Sequence, residues 1–454
     1  MNRIMIAGTN SGAGKTTVTI GFMKALLNRG YKVSAFKCGP DYIDPMFHSR
    51  IVGASARNLD SVFCDDNMIK YLMSEGSCDF SVIEGVMGYY DGVGNTGSSM
   101  EIARLTKTPA IIVIDCKGMS DSIGAVMKGF LTYKDTEEPN IAGFLFNRLP
   151  ESLEEHVRKM CDELDTIYFG RLPYQKEYSI SSRHLGLMTA GEIEDLREKV
   201  DGLAGLCEKY FEMETIIKTA GLAGHLDYKK PSVDKIQVNQ TVTVAVADDR
   251  AFSFIYQDNM DFLERAGVEI VRFSPISDAH VPYGINGLIL PGGYPELYAR
   301  ELSENVSMIE SIRAAVREVP TIAECGGFMY LHEYICTEMG RYRMAGVIKG
   351  EVTNKNRLVR FGYVRMESRK EGLFGQKGSV ITAHEFHYWD SDCNGNDYNV
   401  EKISRPLHYE HGHAGKYFYG GFPHVYFYGN VEAGMEFVRK CSMGKVYTQR
   451  SESQ

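Results

Sequence analysis

The sequence of 454 residues lacks any apolar run that approaches the roughly 20 residues of a membrane-spanning helix. It also lacks a C-x-x-C pair: its 10 cysteines are scattered, which argues against a zinc site or disulfide framework and favours a reducing cytosol. The net charge of −9 offers no basic field for nucleic acid. The start, MNRIMIAG, is too short and too weakly basic for a secretion leader. These absences predict a soluble, cytoplasmic protein that binds neither membrane nor nucleic acid.

Short β-branched runs alternate with helical patterns in the first half of the chain. The runs lie at residues 4–7, 33–36, 80–83, 110–114 and 141–146. Such alternation predicts a parallel sheet with helices on both faces. From 191 to about 220, apolar residues recur at spacings of three and four, which predicts one helix that ends this domain.

A polar segment at 225–240, which contains a proline and has little periodicity, is interpreted as a linker. It separates two expected domains, 1–224 and 241–454. After it a second α/β series begins. Strands are predicted at 242–247, 269–273, 287–290 and 320–323, with one helix near 255–266 and another that runs through 317. Beyond 345 the segments become shorter and more aromatic, which predicts antiparallel strands.

The stretch GTNSGAGKTT, residues 8–17, lies between the first predicted strand and a helix. Glycines let backbone N–H groups point at phosphate oxygens, and the helix dipole adds attraction. Lys15 supplies a charge to the outer phosphates and Thr16 a hydroxyl for Mg²⁺. The loop is a variant, because the strict G-x-x-x-x-G-K-[ST] pattern would place glycine where this chain has Thr9. The predicted phosphate site consists of Gly8, Thr9, Gly12, Gly14, Lys15, Thr16 and Thr17.

Acidic residues follow two of the predicted strands, at the sheet edge where ligands of open α/β sheets bind. Asp41 and Asp44 lie in KCGPDYIDP, and Glu84 lies in VIEGVMG. Carboxylate oxygens are suitable ligands for Mg²⁺. The alternatives are that Asp41 caps a turn and that Glu84 pairs with a surface cation.

In the second half, AECGG places Cys325 between a strand and a helix, as in a nucleophile elbow. A thiol needs a helix N-terminus or a base to react at neutral pH. His424, in GGFPHVYF, is the candidate base, although its position alone leaves a packing role open. Backbone N–H groups of Gly292, Gly293 and Gly326 are candidate oxyanion donors. A plain turn is the alternative for the glycine pair 292–293.

These motifs together resemble the cobyrinic acid a,c-diamide synthase family. The resemblance rests on GTNSGAGKTT, FKCGPDYIDP, VIEGVMGYYDG, FLFNR, ADDRAFSFIYQDN, LILPGGYPELYA, AECGGFMYL and HEFHYWD, in this order over nearly the whole chain. It implies an α/β chain: an N-terminal P-loop NTPase-like domain of the dethiobiotin synthetase type, followed by a flavodoxin-like class I glutamine amidotransferase domain.

The resemblance also implies roles for single residues in the first half. These roles are ATP phosphate binding for Lys15, Mg²⁺ binding for Thr16 and Glu84, proximity to the activated carboxylate for Asp41 and Asp44, and adenine recognition for Asn147. Asn147 has the alternative role of a turn residue.

For the second half, the resemblance implies that Cys325 is the glutaminase nucleophile and His424 its general base. Typical class I sites carry a glutamate two residues after the histidine, where this chain has Tyr426. Another group would then orient the imidazole. His384 and His387 in HEFHYWD fit the family pattern, and both packing and substrate contact remain open for them.

The implied reaction is the ATP- and glutamine-dependent amidation of the a and c acetates of cobyrinic acid, a corrin macrocycle of cobalamin biosynthesis. The expected requirements are ATP, Mg²⁺ and glutamine, and the resemblance allows a homodimer. Nickel sirohydrochlorin, in coenzyme F430 biosynthesis, and hydrogenobyrinic acid are alternative substrates, and cobyric acid synthase fits less well. A partitioning-type ATPase switch is an alternative from another class, but it has no need of a cysteine domain.

Overall fold

The computed structural model describes residues 2–76, 78–94, 96–133, 140–178, 190–233, 235 and 241–448. Contacts within the chain divide it into two units, Met1–Pro231 and Ser232–Gln454. The boundary falls inside the segment 225–240 that was interpreted as a linker, of which 234 and 236–240 lie outside the described residues. Among the described residues, no helix has both the length and the apolar character to cross a membrane.

The first unit is built on a parallel sheet that has seven strands in the described part of the chain. Its strands are β1 Asn2–Gly8, β2 Val33–Cys38, β3 Ser55–Leu59, β4 Phe80–Glu84, β5 Ala110–Asp115, β6 Ile141–Asn147 and β7 Ile167–Leu172, in the order β3-β2-β4-β1-β5-β6-β7. Its helices are α1 Lys15–Asn28, α2 Ile43–Phe47, α3 Asp66–Ser74, α4 Ser99–Leu105, α5 Ser122–Thr132, α6 Glu154–Glu163, α7 Ala190–Tyr210 and α8 Met213–Ala220. The central strands are almost wholly buried, as expected for a sheet covered on both faces.

Two features of this unit differ from the sequence prediction. The strands β3 and β7 were not predicted, and both lie at sheet edges, where a strand needs less apolar sequence. The single helix predicted at 191–220 is two helices, α7 and α8. The chain leaves helical geometry between them because Phe211 forms an antiparallel bridge to Gly170 and the amide of Glu212 donates to the Phe169 carbonyl at 3.0 Å.

The core of the first unit anchors the phosphate loop. Helix α1 packs against α7, and a Cβ at Gly21 would lie 2.7 Å from Sγ of Cys207, so glycine permits this close approach. Val18 and Phe22 of α1 are fully buried in the same cluster. The strand before the loop and the helix after it are therefore both fixed by packing.

The second unit contains a six-stranded main sheet in the described part of the chain, with the order β10-β8-β11-β13-β23-β22. The strands of the whole unit, in all its sheets, are β8 Val242–Ala247, β9 Phe252–Phe254, β10 Val268–Phe273, β11 Gly287–Leu290, β12 Gly292–Gly293, β13 Thr321–Glu324, β14 Tyr334–Thr337, β15 Gly340–Arg343, β16 Glu351–Asn354, β17 Arg360–Ser368, β18 Val380–His387, β19 Trp389–Ser391, β20 Tyr398–Lys402, β21 His408–His411, β22 His413–Gly415, β23 Phe418–Gly421 and β24 His424–Val425. Its helices are α9 Gln257–Arg265, α10 Ala299–Glu304, α11 Val306–Glu318, α12 Gly326–Tyr330 and α13 Val431–Met443.

Five strands of this main sheet run parallel, and β22 joins the edge antiparallel to β23. In chain order the parallel strands follow the 2-1-3-4-5 arrangement of flavodoxin-like folds. The strands predicted at 242–247 and 287–290 have those bounds. The antiparallel strands predicted beyond 345 include β17, β18, β20 and β21, in a sheet ordered β21-β20-β17-β18-β24. The predicted α/β fold class is confirmed.

Candidate active sites

The phosphate loop of the first unit follows β1 and opens α1. Gly14 at the helix N-cap has a φ of 99°, in the left-handed region that favours glycine. A Cβ at this position would lie 2.1 Å from Nδ2 of Asn147, the last residue of β6. Nδ2 of Asn147 in turn donates to the Ala13 carbonyl at 3.0 Å. Asn147 therefore supports the loop, while its contact with adenine remains a prediction.

Lys15 is held inside this loop. Its Nζ donates to the carbonyls of Asn10 at 2.9 Å and of Met87 at 2.5 Å. Burial, and after it the neighbouring Lys37 ammonium, lowers the pKa of Lys15 to about 8. At neutral pH the Lys15 side chain is therefore still charged in most molecules. An ammonium surrounded by carbonyls at the mouth of a glycine loop is suited to exchange them for phosphate oxygens.

The other predicted residues lie in the same loop as this lysine or on the helix turn that follows it. A Cβ at Gly8 would lie 2.9 Å from Cγ of Lys15, and Gly12 has a φ of 83°. The hydroxyl of Thr9 donates to Oδ1 of Asn10 at 2.8 Å, and Thr17 is partly exposed on the first turn of α1. The structure brings these residues into one loop, and their contact with nucleotide stays a prediction.

Glu84, the last residue of β4, is completely buried. Its Oε1 accepts from the Thr16 hydroxyl at 2.6 Å and from Nζ of Lys37 at 2.8 Å, and its Oε2 lies 3.1 Å from Nε2 of His48. Burial by itself would raise the pKa of Glu84, but the Lys37 ammonium and then His48 hold it well below its ordinary value. The cation that pairs with Glu84 is the buried Lys37, in contrast to the surface cation considered from the sequence.

Lys37 and His48 were not identified from the sequence. Lys37 lies within the KCGPDYIDP motif, so its position beside the acidic residues was a signal that could have been used. His48 lies outside the quoted motifs, and only the fold brings its buried ring to Glu84.

The two aspartates of that motif have different environments. Oδ1 of Asp41 accepts from the amides of Ile43 at 2.8 Å and of Asp44 at 3.2 Å, which is the turn-capping arrangement considered as the alternative. Oδ2 of Asp44 lies 2.5 Å from Nζ of Lys37. Burial, followed by the nearby Glu84 carboxylate, raises the pKa of Asp44 to about 7. Their proximity to a substrate carboxylate remains a prediction.

The side-chain oxygens of Thr16 and Glu84 fit a Mg²⁺ site that is completed by oxygens of a bound nucleotide and water. Within the described residues, no group of three or more His, Cys, Asp or Glu side chains could enclose a metal ion. Mg²⁺ in nucleotide sites usually takes one or two protein oxygens and completes its shell with phosphates and water. The adjoining Thr16 hydroxyl and Glu84 carboxylate supply two such oxygens.

The thiol of the second unit lies on a strained turn. Cys325, between β13 and α12, has φ 45° and ψ −103°, a conformation that costs a non-glycine residue about 1–3 kcal/mol and is concentrated at functional sites. Its amide donates to the Gly421 carbonyl at 2.8 Å, which fixes the turn to β23. A Cβ at Gly327 would lie 2.0 Å from the Leu290 carbonyl oxygen, so the following glycine permits close packing.

His424 lies in β24, just beyond β23, and is 2% exposed. Burial alone would lower its pKa, but hydrogen bonding to the Cys325 side chain and then to Glu324 raises the pKa of His424 to about 9. The imidazole therefore carries a proton at neutral pH. A buried imidazole beside a cysteine pairs a nucleophile with a group that can exchange its proton.

A carboxylate that the sequence reading did not single out completes this group. Oε2 of Glu324 lies 3.5 Å from Nδ1 of His424, and Oε1 accepts from the Val425 amide at 2.9 Å. The signal was present, since Glu324 directly precedes Cys325 in AECGG. Tyr426, at the position of the usual glutamate, directs its hydroxyl to Oδ2 of Asp258 at 2.9 Å.

The glycines predicted as oxyanion donors adjoin the thiol turn. A Cβ at Gly326 would lie 2.9 Å from the backbone nitrogen of Gly293, and one at Gly292 would lie 2.4 Å from Cε1 of His424. The glycine pair after β11 is thus in contact with both the elbow and the imidazole. This placement goes beyond a plain turn, and the donor role of the three amides is a prediction.

His384 and His387 are both buried. His384 is opposite His424 in the β18–β24 pairing, and burial lowers its pKa to about 3, so the ring is neutral. The His387 ring stacks on Phe422 with centroids 3.9 Å apart, and its Nδ1 lies 2.6 Å from the Trp389 carbonyl oxygen. These contacts favour the packing interpretation.

Comparison with known proteins covers both units. The model of the CobQ/CobB/MinD/ParA nucleotide binding domain matches residues 4–187, and that of the CobB/CobQ-like glutamine amidotransferase domain matches 243–430. A cobyrinate a,c-diamide synthase of Caldanaerobacter subterraneus is 36% identical over 452 residues, covering 96% of this chain and 98% of that protein. One from Priestia megaterium is 35% identical over 461 residues, covering 98% of both. One from Listeria innocua is 40% identical over 397 residues, covering 86% and 87%.

Proposed function

The chain belongs to the cobyrinate a,c-diamide synthase family, and from this premise we propose that it converts the a and c acetate side chains of cobyrinic acid to primary amides, using ATP and glutamine. The reaction joins two chemistries, the activation of a carboxylate and the release of ammonia. Each unit of the chain supplies the residues for one of them.

The observation that carries the proposal is the strained Cys325 beside His424 in a chain that also carries a phosphate loop. A nucleotide switch has no use for a cysteine held in this way. An enzyme that takes nitrogen from glutamine can use it, because the amide nitrogen of glutamine is released only when a nucleophile attacks its carbonyl carbon.

In the first unit, a carboxylate oxygen of the macrocycle attacks the γ-phosphorus of ATP, and the bond to the β,γ-bridging oxygen breaks with release of ADP. Lys15 contacts the outer phosphates and balances the charge that moves to the bridging oxygen. Thr16 and Glu84 would hold Mg²⁺, which when bound neutralises further phosphate charge. The product is an acyl phosphate, whose phosphate leaves far more easily than oxide would.

In the second unit, the Cys325 sulfur attacks the side-chain carbonyl of glutamine, and the His424 imidazolium donates its proton to the departing ammonia. Amides of Gly293 and Gly326 would bind the oxyanion. Neutral His424 then removes a proton from water, which hydrolyses the thioester to glutamate. Ammonia displaces phosphate from the acyl phosphate, loses a proton and leaves the primary amide.

The experiment incubates the purified protein with ATP, Mg²⁺ and glutamine, together with cobyrinic acid, and weighs the product. We expect two successive mass changes, each corresponding to the exchange of a hydroxyl for an amino group. Parallel reactions receive nickel sirohydrochlorin or hydrogenobyrinic acid. Amidation of nickel sirohydrochlorin alone would refute the choice of cobyrinic acid as substrate. A rate of ATP hydrolysis that changes with neither glutamine nor macrocycle would refute the proposed synthase activity.

A further inference from the structure

We propose that Glu324 is the positioning residue of the glutaminase site: its carboxylate holds the His424 imidazole from the Nδ1 side. This inference rests on the proposed function, because it assumes that His424 exchanges a proton with Cys325. In typical class I sites a glutamate two residues after the histidine has this task. Here the acid comes from the strand of the nucleophile.

The two oxygens of Glu324 contact two successive residues of β24. Oε1 accepts from the Val425 amide at 2.9 Å, and Oε2 lies 3.5 Å from Nδ1 of His424. The first contact fixes the carboxylate plane on the histidine strand, so the second oxygen has a defined direction towards the ring. The residue is 7% exposed, and in such a poorly solvated site an attraction between opposite charges at 3.5 Å is much stronger than in water.

The contact determines which ring nitrogen serves the thiol. A carboxylate at Nδ1 favours the tautomer with the proton on Nδ1 and stabilises the imidazolium. Nε2 is then the nitrogen that accepts and returns the proton of the reaction. Because Glu324 ends β13 and Cys325 follows it, the same strand end places both the sulfur and the acid against the histidine.

The rival for this role is the pair formed by Tyr426 and Asp258. The Tyr426 hydroxyl donates to Oδ2 of Asp258 at 2.9 Å, so this carboxylate interacts with a phenol. Other charged or titratable groups around the imidazole come from β18. They are His384 and His387, whose pKa values burial lowers to about 3 and about 4, and Glu385, whose pKa is raised by burial and whose Oε2 accepts from Tyr409. Glu324 is the carboxylate that forms an ion pair with His424.

The test compares Glu324→Gln with wild type. Glutamine preserves the size of the side chain and an acceptor for the Val425 amide, removes the charge and replaces one acceptor oxygen with an NH2 donor. We expect kcat for glutamine hydrolysis to fall about 100-fold or more, with KM for glutamine little changed. Amidation with added ammonia should stay at the wild-type rate. Tyr426→Phe and Asp258→Asn, which test the rival pair, should keep the wild-type kcat.

The inference is overturned if E324Q keeps kcat within about threefold of wild type, or if Y426F or D258N loses as much as E324Q. An equal loss of ammonia-dependent activity in E324Q, with a lower melting temperature, would show a structural role and overturn it too. A second pair, Glu324→Asp and Glu324→Asn, compares a carboxylate with an amide at the same side-chain length. The aspartate variant should exceed the asparagine variant by about tenfold, and equal rates would overturn the inference.

Failure of this inference is distinguishable from failure of the proposed function. Glutamine hydrolysis that survives Cys325→Ala would remove the proposed function. If C325A has lost glutamine hydrolysis while E324Q hydrolyses glutamine at the wild-type rate, the proposed function is retained and only the role of Glu324 is refuted.

Discussion

The ammonium group of Lys37 in β2 lies 2.8 Å from Oε1 of Glu84, at the end of the neighbouring strand β4. Both side chains are almost inaccessible to solvent, with exposures of 6% and 0%. A buried carboxylate is tolerated only when a partner compensates its charge. The lysine therefore keeps Glu84 ionised and next to Thr16, where the carboxylate can serve a metal ion.

Lys37→Met should destabilise the first unit by about 3–5 kcal/mol, because it leaves the Glu84 charge buried without its cation. The measurement is calorimetric unfolding, with hydrogen exchange to assign the transition to this unit. Lys24→Met is the matched control, since Lys24 forms a partly exposed pair with Asp201 at 3.2 Å, and surface pairs contribute about 0–1 kcal/mol. Equal melting temperatures for the two variants would contradict this account.

Lys15→Ala should lower amidation with glutamine and with ammonia alike, by about 100-fold or more, because both routes need the acyl phosphate. Product formation by mass spectrometry measures both. Lys24→Ala, on the same helix, controls for the loss of a lysine from α1. Normal ammonia-dependent synthesis in the Lys15 variant would refute the phosphate role of this residue.

Cys325→Ala should abolish glutamine-dependent amidation, with a loss of about 1,000-fold or more, and leave ammonia-dependent amidation in place. Cys336→Ala is the control, because Cys336 is a partly buried thiol of β14, in the same unit. The two nitrogen sources are compared at one pH in the same preparation. Loss of both activities in a folded C325A protein would contradict the division of labour between the units.

The sequence predicts best what local pattern determines. The buried strands β8 and β11 have the predicted bounds because each is a mostly apolar run whose ends coincide with polar residues, glycine or proline. The break between α7 and α8 escaped prediction, since the apolar spacing continues through it and only the bridge from Phe211 to Gly170 interrupts the helix.

The same limit applies to the sites. Gly14 and Cys325 were identified because a turn motif surrounds each of them, and their positive φ values agree with that origin. The roles of Lys37 and Glu324 escaped because their partners lie far away along the sequence. The pair of Lys37 and Glu84 follows from the order of strands in one sheet, and the pair of Glu324 and His424 joins strands of two different sheets. Apolar spacing encodes neither arrangement.

Glutamine hydrolysis should decline as pH rises through about 9. The pKa of His424 is raised to about 9 by its contacts with Cys325 and Glu324, against the opposing effect of burial. The proton that must go to the leaving ammonia is therefore present below that pH and lost above it. Initial rates of glutamate formation from pH 7 to 10 measure this limb. Uncoupled glutamate formation is the rate to follow, because ammonia-dependent amidation bypasses His424 but needs the Lys15 ammonium, whose pKa burial and then Lys37 lower to about 8. A glutaminase rate that stays flat beyond pH 9 would contradict the assignment of His424 as the proton donor.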